Sequence, residues 1–344
     1  VIMNPHMKVN CTEEIQSFMD RCMFHIQSDW KSEFVGMHIT KAQEKQIQRE
    51  MHEAGFHEFA GSEDTWPSLF LSSSEWAESP YHSSISLDLI KDENFSFETV
   101  RTAGRELFNA DAIVKDPDRE LNDSMVLRAM DRNFDAIYLY QDDDEWMVDA
   151  PSEAATNDVP AARAHGKVVT FGLGIGYFIF MAMRNPLVKE ITVVESSAEV
   201  IAMFERFLYP QFPHDIPLHF IHGDAFDYFN ESFLSGFDYI YTDIWKSAQD
   251  GLEIMEKLLH QYVPPFEKAD FWIEDSCEEI MWTLIFLYFE AIAHDRIPEV
   301  NPIYESQMQK IRAWFDPIEH TITDPKEIQF YMYDTDTIRH ILSL

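Results

Sequence analysis

The chain has 344 residues, with 26 Lys and Arg against 61 Asp and Glu, which gives a formal net charge of -35. A field of this sign repels nucleic acid phosphates, so we expect neither DNA nor RNA as a partner. The same field favours a cationic substrate or cofactor, and the length allows one large domain or two domains, each with its own core.

The cysteines Cys11, Cys22 and Cys277 show no paired spacing, which is typical of a protein in a reducing compartment. Cys22 and His25 have the spacing of half a zinc site, but no second half follows, so we expect no metal site. The N-terminal residues lack the apolar stretch of a signal peptide, and the longest apolar run, residues 280–289, is too short to cross a bilayer. We therefore expect a cytoplasmic protein with no membrane partner.

The N-terminal part begins with a predicted amphipathic helix, because apolar residues recur at helical spacing from Ile15 to Ile26. A second helix is predicted to begin at a capping box formed by Thr40 and Gln43 and to end at Gly55. Residues 61–81 are rich in Ser and aromatic side chains, which indicates an ordered but irregular segment.

Two strand-like runs, residues 136–140 and 146–148, flank the acidic residues 141–145 and predict a β-hairpin with a solvated turn. We therefore expect residues 1–150 to form an N-terminal, mainly helical cap with a β-hairpin region. Such a cap is placed to act as a lid over a substrate.

From residue 151 onward, helical and strand-like segments alternate. The predicted strands are 168–171, 191–195, 218–221, 239–243 and 271–274, and the predicted helices are 177–184, 198–208, 251–259 and 278–293. Strict alternation predicts a mostly parallel sheet with helices on both faces, a doubly wound α/β fold. Residues 328–333 are predicted to add an edge strand, and residues 151–344 to form one Rossmann-like domain.

Three glycines, Gly172, Gly174 and Gly176, stand between the first of these strands and a helix. Glycine permits unusual backbone angles and leaves room for a ligand against the main chain. The helix that follows presents free amide groups to a carboxylate or phosphate. We expect the loop, with its neighbours Phe171 and Leu173, to bind a nucleotide-like cofactor.

Acidic residues stand at the ends of the next strands, where a doubly wound sheet binds its ligand. Glu195, followed by Ser196, ends the second strand, where an acid can accept hydrogen bonds from both ribose hydroxyls. Asp224 can accept from an adenine amino group and Ala225 leaves space for a flat ring, although Asp224 is equally suited to cap a helix. Asp243 follows the fourth strand, beside the expected reaction centre.

With these residues in place, the chain from about 151 to 295 resembles the class I S-adenosylmethionine-dependent methyltransferases, and within them the spermidine-synthase-like branch. The resemblance implies S-adenosylmethionine as the cofactor, with the loop glycines on its methionine side, Glu195 at the ribose, and Asp224 and Ala225 at the adenine. It implies Asp243 at the edge of the reaction centre, where it is the candidate catalytic base. The substrate it implies is an unidentified small molecule.

Some positions depart from the family pattern and leave alternatives open. Methyltransferases of this class usually have an acid at the place of Thr170, and polyamine synthases have one at the place of Ile175 and another at that of Lys246. An aminopropyltransferase using decarboxylated S-adenosylmethionine is therefore the second interpretation, and a non-catalytic nucleoside-binding module is the third. A nicotinamide enzyme fits less well, because its glycine pattern would need a small residue at Tyr177. The sequence carries no signal for the oligomeric state.

Overall fold

A computed structural model describes residues 4–27, 31–115, 120–121 and 125–344 of the chain. Its strands are β1 (Met7–Val9), β2 (Phe70–Leu71), β3 (Phe95–Thr102), β4 (Phe108–Asn109), β5 (Leu127–Met130), β6 (Phe134–Gln141), β7 (Asp144–Asp149), β8 (Gly166–Phe171), β9 (Val188–Glu195), β10 (Leu218–His222), β11 (Tyr239–Thr242), β12 (Ala269–Phe271) and β13 (His320–Ile322).

The helices alternate with the strands from β8 to β12 and then continue to the end of the chain. They are α1 (Glu13–Gln27), α2 (Glu44–Ala54), α3 (Ser73–Ala77), α4 (Pro80–Ser84), α5 (Pro151–Arg163), α6 (Tyr177–Met183), α7 (Ala198–Met203), α8 (Ala225–Tyr228), α9 (Glu231–Leu234), α10 (Ala248–Gln261), α11 (Glu274–Ala293), α12 (Glu305–Phe315), α13 (Pro325–Tyr333) and α14 (Thr335–Leu342). Helix α7 continues as a wider π turn over Phe204–Leu208.

The main sheet has the strand order β10-β9-β8-β11-β12, and all its neighbouring strands are parallel. In chain order this is 3-2-1-4-5, so the direction of winding reverses between β8 and β11. Ligands of doubly wound sheets bind at such a switch point, beyond the carboxyl ends of the strands. The predicted α/β fold with a doubly wound parallel sheet is confirmed.

Two predicted strands are wrong in whole or in part. Residues 328–333 form helix α13 instead of an edge strand, because Asp324 caps a helix that begins with Pro325, and Ile328 and Met332 are buried on one helical face. The predicted strand 271–274 overlaps β12 only at Phe271, since the chain turns there and α11 begins at Glu274.

The N-terminal part contains the two predicted helices and the predicted hairpin. Thr40 and Gln43 form the expected capping box, and Gly55 ends α2 with a left-handed φ of 85°. The hairpin strands β6 and β7 turn at Asp142 and Asp143, and β3 joins them in a three-stranded antiparallel sheet. A second small sheet, β2-β5-β4, covers a core of its own.

The first residues of the chain pack with the α/β part. Met7 and Phe18 are buried in the same core as the main sheet, and β1 pairs in parallel with β13. Helix α14 is joined to the end of the sheet by the buried Arg339, which donates to both oxygens of Glu274 at 2.9 and 2.8 Å. The division of the chain at residue 150 stays a prediction.

Candidate cofactor site

The glycine loop leaves β8 in a conformation that requires glycine. Gly172, Gly174 and Gly176 have φ values of 99°, 55° and 76°, in the left-handed region that other residues rarely adopt. A Cβ atom on Gly172 would lie 2.1 Å from the backbone oxygen of Asp243, which is shorter than any real contact of this kind. The loop is therefore packed directly against the end of β11, at the switch point of the sheet.

The hairpin reaches over this loop. A Cβ atom on Gly174 would lie 2.6 Å from the sulfur of Met147, which belongs to β7. On the same strand, Glu145 accepts a long hydrogen bond, 3.4 Å, at its carbonyl oxygen from Lys246. Met147 carried no signal in the sequence beyond its place in a strand, because the contact joins segments that are far apart in the chain.

Glu195 stands at the end of β9 and contacts the glycine loop. One carboxylate oxygen accepts from the amide of Leu173 at 3.0 Å, and the other accepts from the amide of Ser197 at 2.9 Å. The hydroxyl of Ser196 lies 3.4 Å from the same carboxylate. A carboxylate has about four acceptor sites, so these contacts orient Glu195 and leave acceptor capacity for ribose hydroxyls. Its contact with a ribose stays a prediction.

Asp224 and Ala225 follow β10. The Asp224 carboxylate accepts from the amide of Phe226 at 2.9 Å and caps α8, so the capping interpretation of this residue holds in the structure. Ala225 is buried as the first residue of the helix. His222 also lies near this edge, with its Nε2 atom 3.0 Å from the carbonyl oxygen of Ser196. An adenine contact at Asp224 and Ala225 stays a prediction.

Asp243 follows β11, and its backbone contacts the glycine loop. Its amide donates to the carbonyl oxygen of Phe171 at 3.0 Å, which joins the residues that follow β8 and β11. Burial, reinforced by the negative charge of Glu153, raises the pKa of Asp243 to about 8. Burial and the charge of Asp149 likewise raise the pKa of Glu153, which lies in helix α5. With this pKa, Asp243 is mostly protonated at neutral pH.

Acids of the hairpin and of helix α5 have imidazole and aromatic partners. The hydroxyl of Tyr177 donates to Asp158 at 2.6 Å, and the Nε2 atom of His82 lies 2.7 Å from the buried carboxylate of Asp149. Burial raises the pKa of Tyr177, and so do its hydrogen bond to Asp158 and the negative charges of Asp158 and Asp149. These residues belong to α4, the hairpin and the helices flanking β8, and sequence reasoning did not single them out as a site.

Side chains of the loop itself face the protein interior. Phe171, Leu173 and Ile175 are buried, so they can serve a cofactor only through their backbone groups. Thr170 is a buried residue of β8. Within the described ranges, His, Cys, Asp and Glu side chains form no group of three that could hold a metal ion. In the same ranges, no helix combines the length and apolarity needed to cross a bilayer.

Comparison with family models and with curated proteins finds no match. Solved structures similar to the chain include a probable spermidine synthase from Corynebacterium glutamicum, with 14% identity over 38% of this chain and 53% of that one, at a TM-score of 0.28. Spermidine synthase from Thermotoga maritima is 14% identical over 52% of this chain and 68% of that one, at a TM-score of 0.29. Human methyltransferase-like protein 13 in complex with SAH is 15% identical over 35% of this chain and 61% of that one, at a TM-score of 0.24. The chain thus spans about half the length of the first of these proteins.

Proposed function

We propose that this protein is a class I S-adenosylmethionine-dependent methyltransferase that acts on a small molecule. The observation that carries the proposal is the position of Asp243: its backbone lies against a left-handed glycine loop at the switch point of a doubly wound sheet, and its carboxyl group has a pKa of about 8. This arrangement combines a place for a nucleoside cofactor with a base suited to neutral pH.

The residues that would hold the cofactor fit it in type and position. Gly172 and Gly174 carry no side chain of their own, Met147 of the hairpin contacts the loop at Gly174, and helix α6 begins directly after Gly176. Glu195 is oriented by two amide groups and keeps acceptor capacity for the ribose. When bound, the sulfonium cofactor supplies an electrophilic methyl group, so the protein contributes mainly alignment and exclusion of water.

Asp243 removes a proton from an acceptor that arrives protonated. A base works best when its pKa lies near the working pH, and the pKa of about 8 meets this condition. Glu153 and Asp149 keep the local potential negative, which disfavours the loss of the Asp243 proton but favours a cationic acceptor. We therefore propose a small, cationic acceptor whose reactive atom lies close to Asp243.

The negative potential also supports a second candidate, an aminopropyltransferase that uses decarboxylated S-adenosylmethionine. Asp149, Glu153 and Asp243 influence one another electrostatically, as acids that surround an amine substrate would. Against it, Lys246 replaces an acid that polyamine synthases carry, and its ammonium group lies next to the hairpin turn at Glu145. A third candidate is a nucleoside-binding module without catalysis.

Calorimetric titration of the purified chain separates these candidates. S-adenosylhomocysteine should bind more tightly than methylthioadenosine if the protein is a methyltransferase, and less tightly if it is an aminopropyltransferase. Binding of either ligand without transfer to any amine or hydroxyl acceptor in a mixed small-molecule panel would favour the non-catalytic module. If NAD binds and neither sulfur nucleoside does, the cofactor assignment is wrong.

A further inference from the structure

A surface cavity of about 450 Å³ lies outside the candidate cofactor site, in the N-terminal part of the chain. It is lined by His38, Arg101, Gly104, Arg105, Arg132 and Asn133. These residues come from the segment before α2, from the end of β3 and the loop after it, and from the loop between β5 and β6. None of them belongs to the glycine loop or to the strand ends described above.

The charge of this cavity is opposite to that of the chain. Three guanidinium groups and an imidazole line it, and none of the described residues contributes a carboxylate to the lining, in a protein with a formal net charge of -35. Asp135 lies outside the lining and pairs with Arg101 at 3.0 Å. Acidic residues outnumber basic ones by more than two to one in the whole chain, so a cavity with this lining is a local reversal of charge.

Backbone contacts bring the arginines together. A Cβ atom on Gly104 would lie 2.2 Å from the backbone carbonyl carbon of Arg132, so the loops after β3 and β5 are in main-chain contact. The amide of Gly104 donates to the side-chain oxygen of Asn133 at 3.0 Å. Arg105 has a left-handed φ of 60°, and its amide donates to Met130 at 2.8 Å. An arginine held in this unfavourable conformation is a feature that a ligand contact would explain.

Most of the donor capacity of the arginines is unused within the described ranges. Arg101 donates to Asp135, Arg105 donates through Nε to the carbonyl of Asp131 at 3.3 Å, and Arg132 donates to the hydroxyl of Ser74. A guanidinium group has five N–H donors in a planar fork that matches two oxygens of a phosphate. The remaining donors of the cluster are therefore available to an anion.

We propose that this cavity binds a small phosphate-bearing anion. Its volume suits a small ligand, and paired guanidinium groups recognise phosphate by charge-assisted, bidentate hydrogen bonds. A long polyanion is disfavoured, because it would extend over the acidic surface. At physiological salt, screening limits electrostatic interactions to a range of about 8 Å, so a small anion interacts mainly with the arginines around it. The shared chemistry is a phosphate group, free or carried by a metabolite.

The test is calorimetry on the full chain with inorganic phosphate and with phenyl phosphate, a simple phosphomonoester. We expect both probes to bind saturably. If phenyl phosphate binds more tightly, the ligand of the cavity is a phosphorylated metabolite. If inorganic phosphate binds more tightly, the ligand is the free phosphate ion. The double variant R105Q/R132Q and the variant R101Q, each at exposed positions, should weaken binding about tenfold or more.

The matched control is R49Q. Arg49 belongs to the same part of the chain, is exposed and pairs with Glu63 outside the cavity, so its loss removes the same charge without touching the lining. Binding by R49Q should equal that of the wild type. The proposal is overturned if neither probe binds saturably, or if R49Q weakens binding as much as R101Q and R105Q/R132Q do.

Discussion

The hydroxyl of Tyr81 donates a hydrogen bond of 2.7 Å to the carbonyl oxygen of Ile175, inside the glycine loop. Both residues are buried, and 94 positions separate them in the chain. The N-terminal part thus supports the loop from within the protein, because the ring of Tyr81 also packs against Tyr177 and Phe180 of helix α6. This contact makes the conformation of the loop depend on residues outside the α/β core.

Replacing Tyr81 by Phe should lower the free energy of unfolding by about 1–2 kcal/mol, because the carbonyl of Ile175 loses its buried donor. Chemical denaturation measures this change. The control is Y140F, whose hydroxyl makes a 3.3 Å contact with Glu98 at the surface and whose loss should cost no more than about 0.5 kcal/mol. Equal effects of the two substitutions would contradict a supporting role for Tyr81.

Replacing Gly172 by Ala should destabilise the protein by at least about 2 kcal/mol, since the position combines a φ of 99° with a Cβ atom 2.1 Å from the oxygen of Asp243. Thermal unfolding followed by circular dichroism gives the measurement. Gly236 is the control, because an added Cβ there meets only a carbonyl oxygen at 3.6 Å. A G172A protein as stable as G236A would show that the loop is less constrained than its geometry indicates.

Replacing Glu195 by Ala should weaken the binding of S-adenosylhomocysteine by about 1–3 kcal/mol, because the ribose loses an acceptor and the amides of Leu173 and Ser197 lose theirs. Isothermal calorimetry measures the affinity, and denaturation of the free protein separates binding from stability. E190A is the control, as Glu190 lies on the same strand and pairs with His219. Unchanged affinity in E195A would refute the proposed place of the ribose.

The pKa of Asp243 predicts how stability depends on pH. Because the folded pKa of about 8 lies above the ordinary value of 3.8, the folded state holds this proton more tightly than the unfolded chain does. The full stabilisation by this proton is therefore present below pH 3.8. As the pH rises from 3.8 toward 8, the free energy of unfolding falls by up to about 1.4 kcal/mol per pH unit.

The variant D243N should remove this dependence, so its stability relative to the wild type should increase between pH 5 and pH 8. Urea denaturation at both pH values provides the measurement. Since the charge of Glu153 acts on Asp243, the comparison is made as a difference between the two proteins at each pH. D250N, at an exposed position in the first turn of α10, should show no such change. A constant difference between wild type and D243N would contradict the raised pKa.

Local sequence patterns were enough to predict most elements of the α/β part. The alternation of apolar segments with helical ones predicted the parallel sheet, and Gly172, Gly174 and Gly176 marked the loop after its first strand. The same reasoning failed at residues 328–333, because a short apolar run is compatible with either a strand or a helix. In the structure Asp324 caps a helix that includes these residues.

By itself, the sequence determined the fold class, the loop and the order of acids along the strand ends, because these follow from periodicity and from residue types close together in the chain. The tertiary structure alone decided that Met147 lies on Gly174, that Tyr81 supports Ile175, and that the charge of Glu153 acts on the half-buried Asp243. Contacts and desolvation depend on segments that meet only after folding, so no local pattern encodes them.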